Sequence, residues 1–136
     1  MITIRKKGLL GAIILLIAFV VLLHIISLKF YLYWSLAWLD PIVHFLGGFS
    51  AGLFLLWVYY FSGMIKRKDN NIVRSFWFCL VGTLIIGIIW EIIEYKLGLT
   101  SYSIGFVYDT LSDLLMDIGG GLLAYYYFTY YNKKSV

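Results

Sequence analysis

Residues 9–28 read LLGAIILLIAFVVLLHIISL, a run without any aspartate, glutamate, lysine or arginine. A helix needs about 20 predominantly apolar residues to cross the hydrocarbon core of a bilayer. Three further segments also qualify, at residues 42–61, 75–95 and 109–131. The sequence therefore predicts an all-α, polytopic membrane protein. We expect residues 1–136 to form a single transmembrane domain, a bundle of four membrane-spanning helices.

The composition of the whole chain agrees with lipid as its solvent. The 136 residues are 62% hydrophobic and only 13% charged, whereas soluble domains carry about 25% charged residues. The lone Cys79 leaves no partner for a disulfide bond. The net charge of +4 is spread over short basic runs beside apolar segments. This pattern is typical of topology signals and headgroup contacts rather than of nucleic-acid binding.

Basic residues fall mainly on one side of the predicted bundle. The connections on the other side carry only Lys29 and Lys96. Lysine and arginine are enriched in cytoplasmic loops. We therefore predict a plasma-membrane protein with both termini in the cytoplasm and with the loop at residues 98–108 outside. The nine basic residues assigned to the cytoplasmic side are Arg5, Lys6, Lys7, Lys66, Arg67, Lys68, Arg74, Lys133 and Lys134.

Most carboxylates lie in the outward half of the predicted bundle. His44 follows Asp40 by one helical turn and joins this layer. For His24 we expect snorkelling or a hydrogen bond to a neighbouring helix, and Asp109 either caps the last helix or joins the layer. The six carboxylates of the layer are Asp40, Glu91, Glu94, Asp109, Asp113 and Asp117.

The acidic residues share helix faces with glycines. Residues three, four or seven positions apart lie on one face of a helix, and small residues mark the faces on which membrane helices approach closely. We therefore expect the carboxylates to point into the bundle. The aligned sets are Asp40 and His44 with Gly48 and Gly52, Glu91 and Glu94 with Gly87, and Asp113 and Asp117 with Gly120 and Gly121.

Such a cluster favours a functional site over a purely structural network. Inserting an aspartate at mid-membrane costs roughly 2.5–3.5 kcal/mol, and a polar pair between membrane helices returns only about 0.6 kcal/mol. Carboxylates packed together also repel one another unless a cation joins them. Carboxylates with one imidazole suit Mg, Mn, Ca, Fe or Zn. We predict a divalent metal ion of unknown identity, held by His44, Glu91, Glu94 and Asp113.

Three functions are compatible with this pattern. In the first, the protein is a hydrolase or transferase that uses the metal ion and acts on a lipid-linked or isoprenoid-phosphate substrate. Asp117 or Asp40 then acts as the general base or holds the metal ligands in place. In the second, the carboxylates relay protons or bind a coupling ion, although the inner half lacks acidic residues and would need a homo-oligomer. In the third, a non-catalytic envelope protein binds lipid, an antibiotic or a partner. Membrane lipid is a partner in all three.

Three motifs carry a resemblance to known families: DPIVHFLGG at 40–48, WEIIEY at 90–95 and YDTLSDLLMDIGG at 108–120. In this order they resemble the YjdF-like family of small bacterial membrane proteins and, more loosely, the VanZ-like family. The resemblance covers residues 40–121 and implies a four-helix core with the same site residues. The VanZ-like likeness implies an accessory role in antibiotic resistance, although VanZ-like proteins usually have asparagine where Asp117 stands. Neither family implies a particular reaction.

Overall fold

The computed structural model describes residues 2–65, 71–99 and 105–133, with side chains for residues 7–65, 71–99 and 105–131. The described chain is entirely helical apart from its connections, so the all-α prediction is confirmed. The basic residues Lys66, Arg67, Lys68 and Lys134, and residues 100–104 of the expected outer loop, lie outside the described residues. The helices are α1 (Ile2–Lys29), α2 (Leu32–Ser35), α3 (Leu39–Phe61), α4 (Ile72–Leu97) and α5 (Phe106–Lys133).

The four long helices extend beyond the predicted segments because hydrophobicity alone does not mark where a helix begins. Helix α3 starts at Leu39 and includes Pro41 in its first turn. Proline is tolerated there, since the first N–H groups of a helix have no partner within it. Helix α4 starts after Asn71, whose side-chain carbonyl accepts hydrogen bonds from the N–H groups of Val73 and Arg74 at 2.9 and 3.2 Å.

Three of these helices are long and apolar enough to cross a membrane: Lys7–Lys29 within α1, Leu39–Phe61 and Ile72–Leu97. Helix α5 has 28 residues and is therefore about 42 Å long. Its aspartates, glycines and tyrosines make it less apolar than the other three. The structure thus supports a protein with several membrane-spanning helices, and the count of four stays a prediction.

Helix α3 is the centre of the arrangement. It packs against α1, α4 and α5, with its longest contact along α5, and α4 also packs against α5. Small side chains at the centre allow this close approach, and the thiol of Cys79 lies 3.7 and 3.6 Å from the carbonyl oxygens of Gly52 and Gly121. The buried apolar core consists of Ile13, Leu53, Leu56, Cys79, Ala124 and Phe128.

Candidate metal centre

His44 lies at the meeting point of carboxylates from three helices. Its Nε2 is 3.9 Å from Asp40 Oδ1 and 3.7 Å from Glu91 Oε1. The same nitrogen is 4.0 Å from Asp113 Oδ2. The other ring nitrogen, Nδ1, is 3.4 Å from Asp117 Oδ2. The two sides of one imidazole therefore face different carboxylates, three at Nε2 and one at Nδ1.

Two groups of possible ligands share this histidine. One donor atom each from His44, Glu91 and Glu94 lie within 4.8 Å of one another, and the same holds for Asp40, His44 and Asp113. Oxygen ligands lie at about 2.0–2.6 Å from Mg²⁺ or Ca²⁺, so two ligands on opposite sides of one ion are about 4–5 Å apart. Either group is therefore compact enough to share one ion.

Most of the cluster is withdrawn from solvent. His44, Glu91, Glu94, Asp113 and Asp117 are each at most 7% exposed. The exception is Asp40, whose side chain is 24% exposed and forms the rim of the site. The structure thus brings all six predicted residues together, and their roles as ligands or bases stay predictions.

Two carboxylate oxygens in the cluster lack a hydrogen-bond partner. Among the described residues, Glu91 Oε1 and Asp113 Oδ1 are buried without any donor in reach. A buried acceptor without a partner destabilises a fold by about 1–3 kcal/mol, and by more when it is charged. A single imidazole also cannot neutralise five carboxylates. The cluster therefore needs further positive charge, as protons or as a bound cation.

Thr110 also supports the site, and it was not among the residues predicted from the sequence. Its hydroxyl donates a 2.8 Å hydrogen bond to Glu91 Oε2. This bond fixes the orientation of the carboxylate and leaves Oε1 directed at His44. The spacing held a signal for Thr110, because it precedes Asp113 by three positions and so lies on the same face of α5.

Glycines make room for Asp117 between the helices. A Cβ at Gly48 would overlap the backbone of Asp117, with 2.6 Å to its Cα. A Cβ at Gly87 would collide with the Asp117 carboxylate. The prediction that glycines mark close helix contacts is therefore confirmed at both positions. At Gly48 the obstacle is backbone, so a side chain there would push α5 away from α3, whereas at Gly87 the Asp117 side chain would have to move.

His24 and Asp109 lie outside the cluster. Buried His24 places Nδ1 2.8 Å from the hydroxyl of Tyr33, so the expected hydrogen bond to a neighbouring helix is confirmed. Burial and the nearby Asp40 raise the pKa of Tyr33 above its usual range. Asp109 is exposed in the first turn of α5, which begins at Phe106, so it does not cap that helix.

Apolar helices of spanning length, with ionisable residues buried between them, define an integral membrane protein. The chain belongs to the DUF2238 family, described as a predicted membrane protein, whose model matches residues 2–134. The match includes α1, which the motif resemblance left out. No curated protein and no solved structure is significantly similar to the chain.

Proposed function

We propose that this protein holds a divalent metal ion at His44 and uses it for hydrolysis or transfer on a lipid-linked phosphate of the isoprenoid-phosphate type. The observation that carries the proposal is the pair of buried carboxylate oxygens without partners, Glu91 Oε1 and Asp113 Oδ1. Both belong to side chains next to the same imidazole nitrogen. A cation beside His44 would offset the negative charge of both side chains and reduce the repulsion among the carboxylates.

We assign the ligands to the Nε2 side of the imidazole. His44, Glu91 and Glu94 form one compact group of donors, and Asp113 belongs to the second group around the same histidine. A mixed carboxylate and imidazole set suits Mg²⁺, Mn²⁺, Fe²⁺ or Zn²⁺. When bound, such an ion polarises a phosphoryl oxygen and activates water.

The two remaining carboxylates have different positions and therefore different proposed roles. Asp117 faces Nδ1 at 3.4 Å, where it can hold the ring proton and leave Nε2 free to bind a cation. We therefore infer that Asp117 orients His44. Asp40 lies at the partly exposed rim, where it is accessible to water. Of the two candidate bases, we assign general-base catalysis to Asp40.

We further propose that α5 is the fourth spanning helix. Its modest hydrophobicity does not argue against this, because Asp113 and Asp117 are buried against other helices. The proposed protein is a plasma-membrane protein that is YjdF-like and, more loosely, VanZ-like, and it is compatible with assembly into a homo-oligomer.

The orientation of the chain gives the first prediction. A reporter fused after Val136 should be active in the cytoplasm, and one inserted at Ser103 should be active outside, because cytoplasmic loops retain lysine and arginine. Activity of paired cytoplasmic and periplasmic reporters measures both positions, and a fusion within residues 66–70 is the cytoplasmic control. An external signal from Val136 would place the carboxylate cluster on the cytoplasmic side and contradict the proposed site.

Bound metal gives the test of function. Elemental analysis of detergent-purified protein should find a divalent ion at about one per chain. Metal at a hundredfold excess over its Kd should stabilise the folded state by about 2.7 kcal/mol, and EDTA should reverse this gain in thermal melts. The protein should also release phosphate from a single-chain prenyl phosphate, and EDTA should stop the release. Absence of metal would contradict the proposal, and metal without phosphate release would favour the non-catalytic alternative.

A further inference from the structure

A cavity of about 270 Å³ lies beside the metal centre, between α1, α3 and α4. Helix α1 packs along α3 but stays apart from α4 over most of its length. The two helices meet at one end, where the ring of His24 contacts the ring of Trp90 with 5.0 Å between centroids. Both side chains line the cavity.

The walls of the cavity are mostly apolar, and its polar lining residues outside the metal centre are His24, Ser50, Thr83 and Trp90. Its polar end is formed by His44 and Asp117, and Asp117 is its only charged lining residue. The lining residue Ser50 directs its hydroxyl to the carbonyl of Gly47 at 2.9 Å. From His44 the cavity extends along α3 to Phe54, ten residues or about 15 Å further. Such a space suits an apolar chain with a polar end group.

The cavity opens sideways, towards lipid. Its lining includes Val21 on α1, Phe54 on α3 and Ile86 on α4, which are 45%, 39% and 41% exposed. These exposed apolar side chains mark an opening on the face that the proposed topology surrounds with hydrocarbon. A chain dissolved in the bilayer can therefore enter without crossing water.

We propose that this cavity binds the hydrocarbon chain of a single-chain isoprenoid phosphate, which enters between α1 and α4 and places its phosphate at His44. This inference rests on the proposed function for the position of the phosphate, and on the cavity itself for the chain. Pockets for drug-sized ligands have about 300–1,000 Å³, so a space of about 270 Å³ suits one hydrocarbon chain better than two.

The test uses a prenyl phosphate with a photoactivatable diazirine in its chain and the full-length protein in lipid nanodiscs. Ala51→Phe fills the cavity from α3 without altering any proposed ligand. It should lower photolabelling at least tenfold and leave bound metal unchanged. Ala18→Phe makes the same change on the exposed face of α1 and should label like the wild type. Val20→Phe fills the cavity from the opposite wall. It replaces Ala51→Phe in the test if Ala51→Phe does not fold.

Each outcome separates the cavity from the metal centre. Wild-type labelling in folded Ala51→Phe and Val20→Phe would overturn the inference even if metal remains bound. Equal competition by an unlabelled two-chain phosphatidic acid would overturn the assignment to a single chain. Labelling that is blocked by Ala51→Phe in a protein without metal would support the chain site and contradict only the proposed chemistry.

Discussion

Replacing Glu94 with glutamine or Asp113 with asparagine should lower the affinity for the divalent ion at least about 100-fold. The amides keep the shape of the side chains but lose an anionic oxygen, and even residues that only support metal ligands contribute 10–100-fold to affinity. Both side chains belong to the donor groups around His44. Membrane insertion should stay intact, since each change removes a charge from the bilayer. Isothermal titration of chelator-treated protein measures the loss.

Asp109→Asn is the matched control for these variants. Asp109 lies on the same helix as Asp113 but is exposed and outside both donor groups, so its amide should bind metal like the wild type. A purely structural polar network predicts a different result. In that case Glu94→Gln and Asp113→Asn would melt at or above the wild-type temperature, and EDTA would not change the wild-type melt.

Gly120→Ala should destabilise the fold by about 1–3 kcal/mol or more, as overpacking does in cores. A Cβ at Gly120 would overlap the carbonyl oxygen of Phe45 and would lie 2.5 Å from the backbone nitrogen of Phe49. Both obstacles are backbone atoms of α3, so a side-chain rotation cannot relieve them. Thermal melts and the monodisperse fraction after size-exclusion chromatography measure the effect.

The neighbouring Gly119 provides the matched control. Its Cβ would lie 3.5 Å from the ring of Phe45, an ordinary contact, and alanine in place of glycine favours a helix by up to about 1 kcal/mol. Gly119→Ala should therefore melt at or above the wild-type temperature. Similar destabilisation by both changes would show that α3 and α5 do not approach through Gly120. Gly63 is unsuitable as a control, because its φ of +76° strains any side chain.

Helix periodicity explains how much of the site could be predicted from sequence. Asp40 and His44 on one helix, and Asp113 and Asp117 on another, repeat at four residues, which places each pair on one face. Glycines on the same faces identified the sides that pack together, and the structure brings all these residues into one cluster. The inference needed only local spacing, which a helix conserves over its whole length.

Contacts between helices could not be predicted in the same way. Spacing alone gave no reason for Asp117 to face Nδ1 of His44 while the other carboxylates face Nε2. That difference depends on the position of α5 along the axis of α3. The cavity was equally inaccessible, because it depends on the distance between α1 and α4, which no residue pattern within either helix determines. The predicted helices were too short for a simpler reason. Polar residues such as Asp40 extend a helix beyond the apolar run from which it was predicted.

The burial of carboxylates on α5 also has a consequence for biosynthesis. Asp113 and Asp117 are both buried. With α5 as the fourth spanning helix, as we propose, an isolated α5 would expose them to lipid at a cost of roughly 5–7 kcal/mol for the two. Helix α1 has no such difficulty, because residues 9–28 contain no aspartate, glutamate, lysine or arginine. On the proposed topology, α1 can therefore insert alone, whereas the insertion of α5 is favoured when α3 and α4 are present to bury its aspartates. Since α3 and α4 precede α5 in the chain, the two helices that bury its aspartates are synthesised before α5.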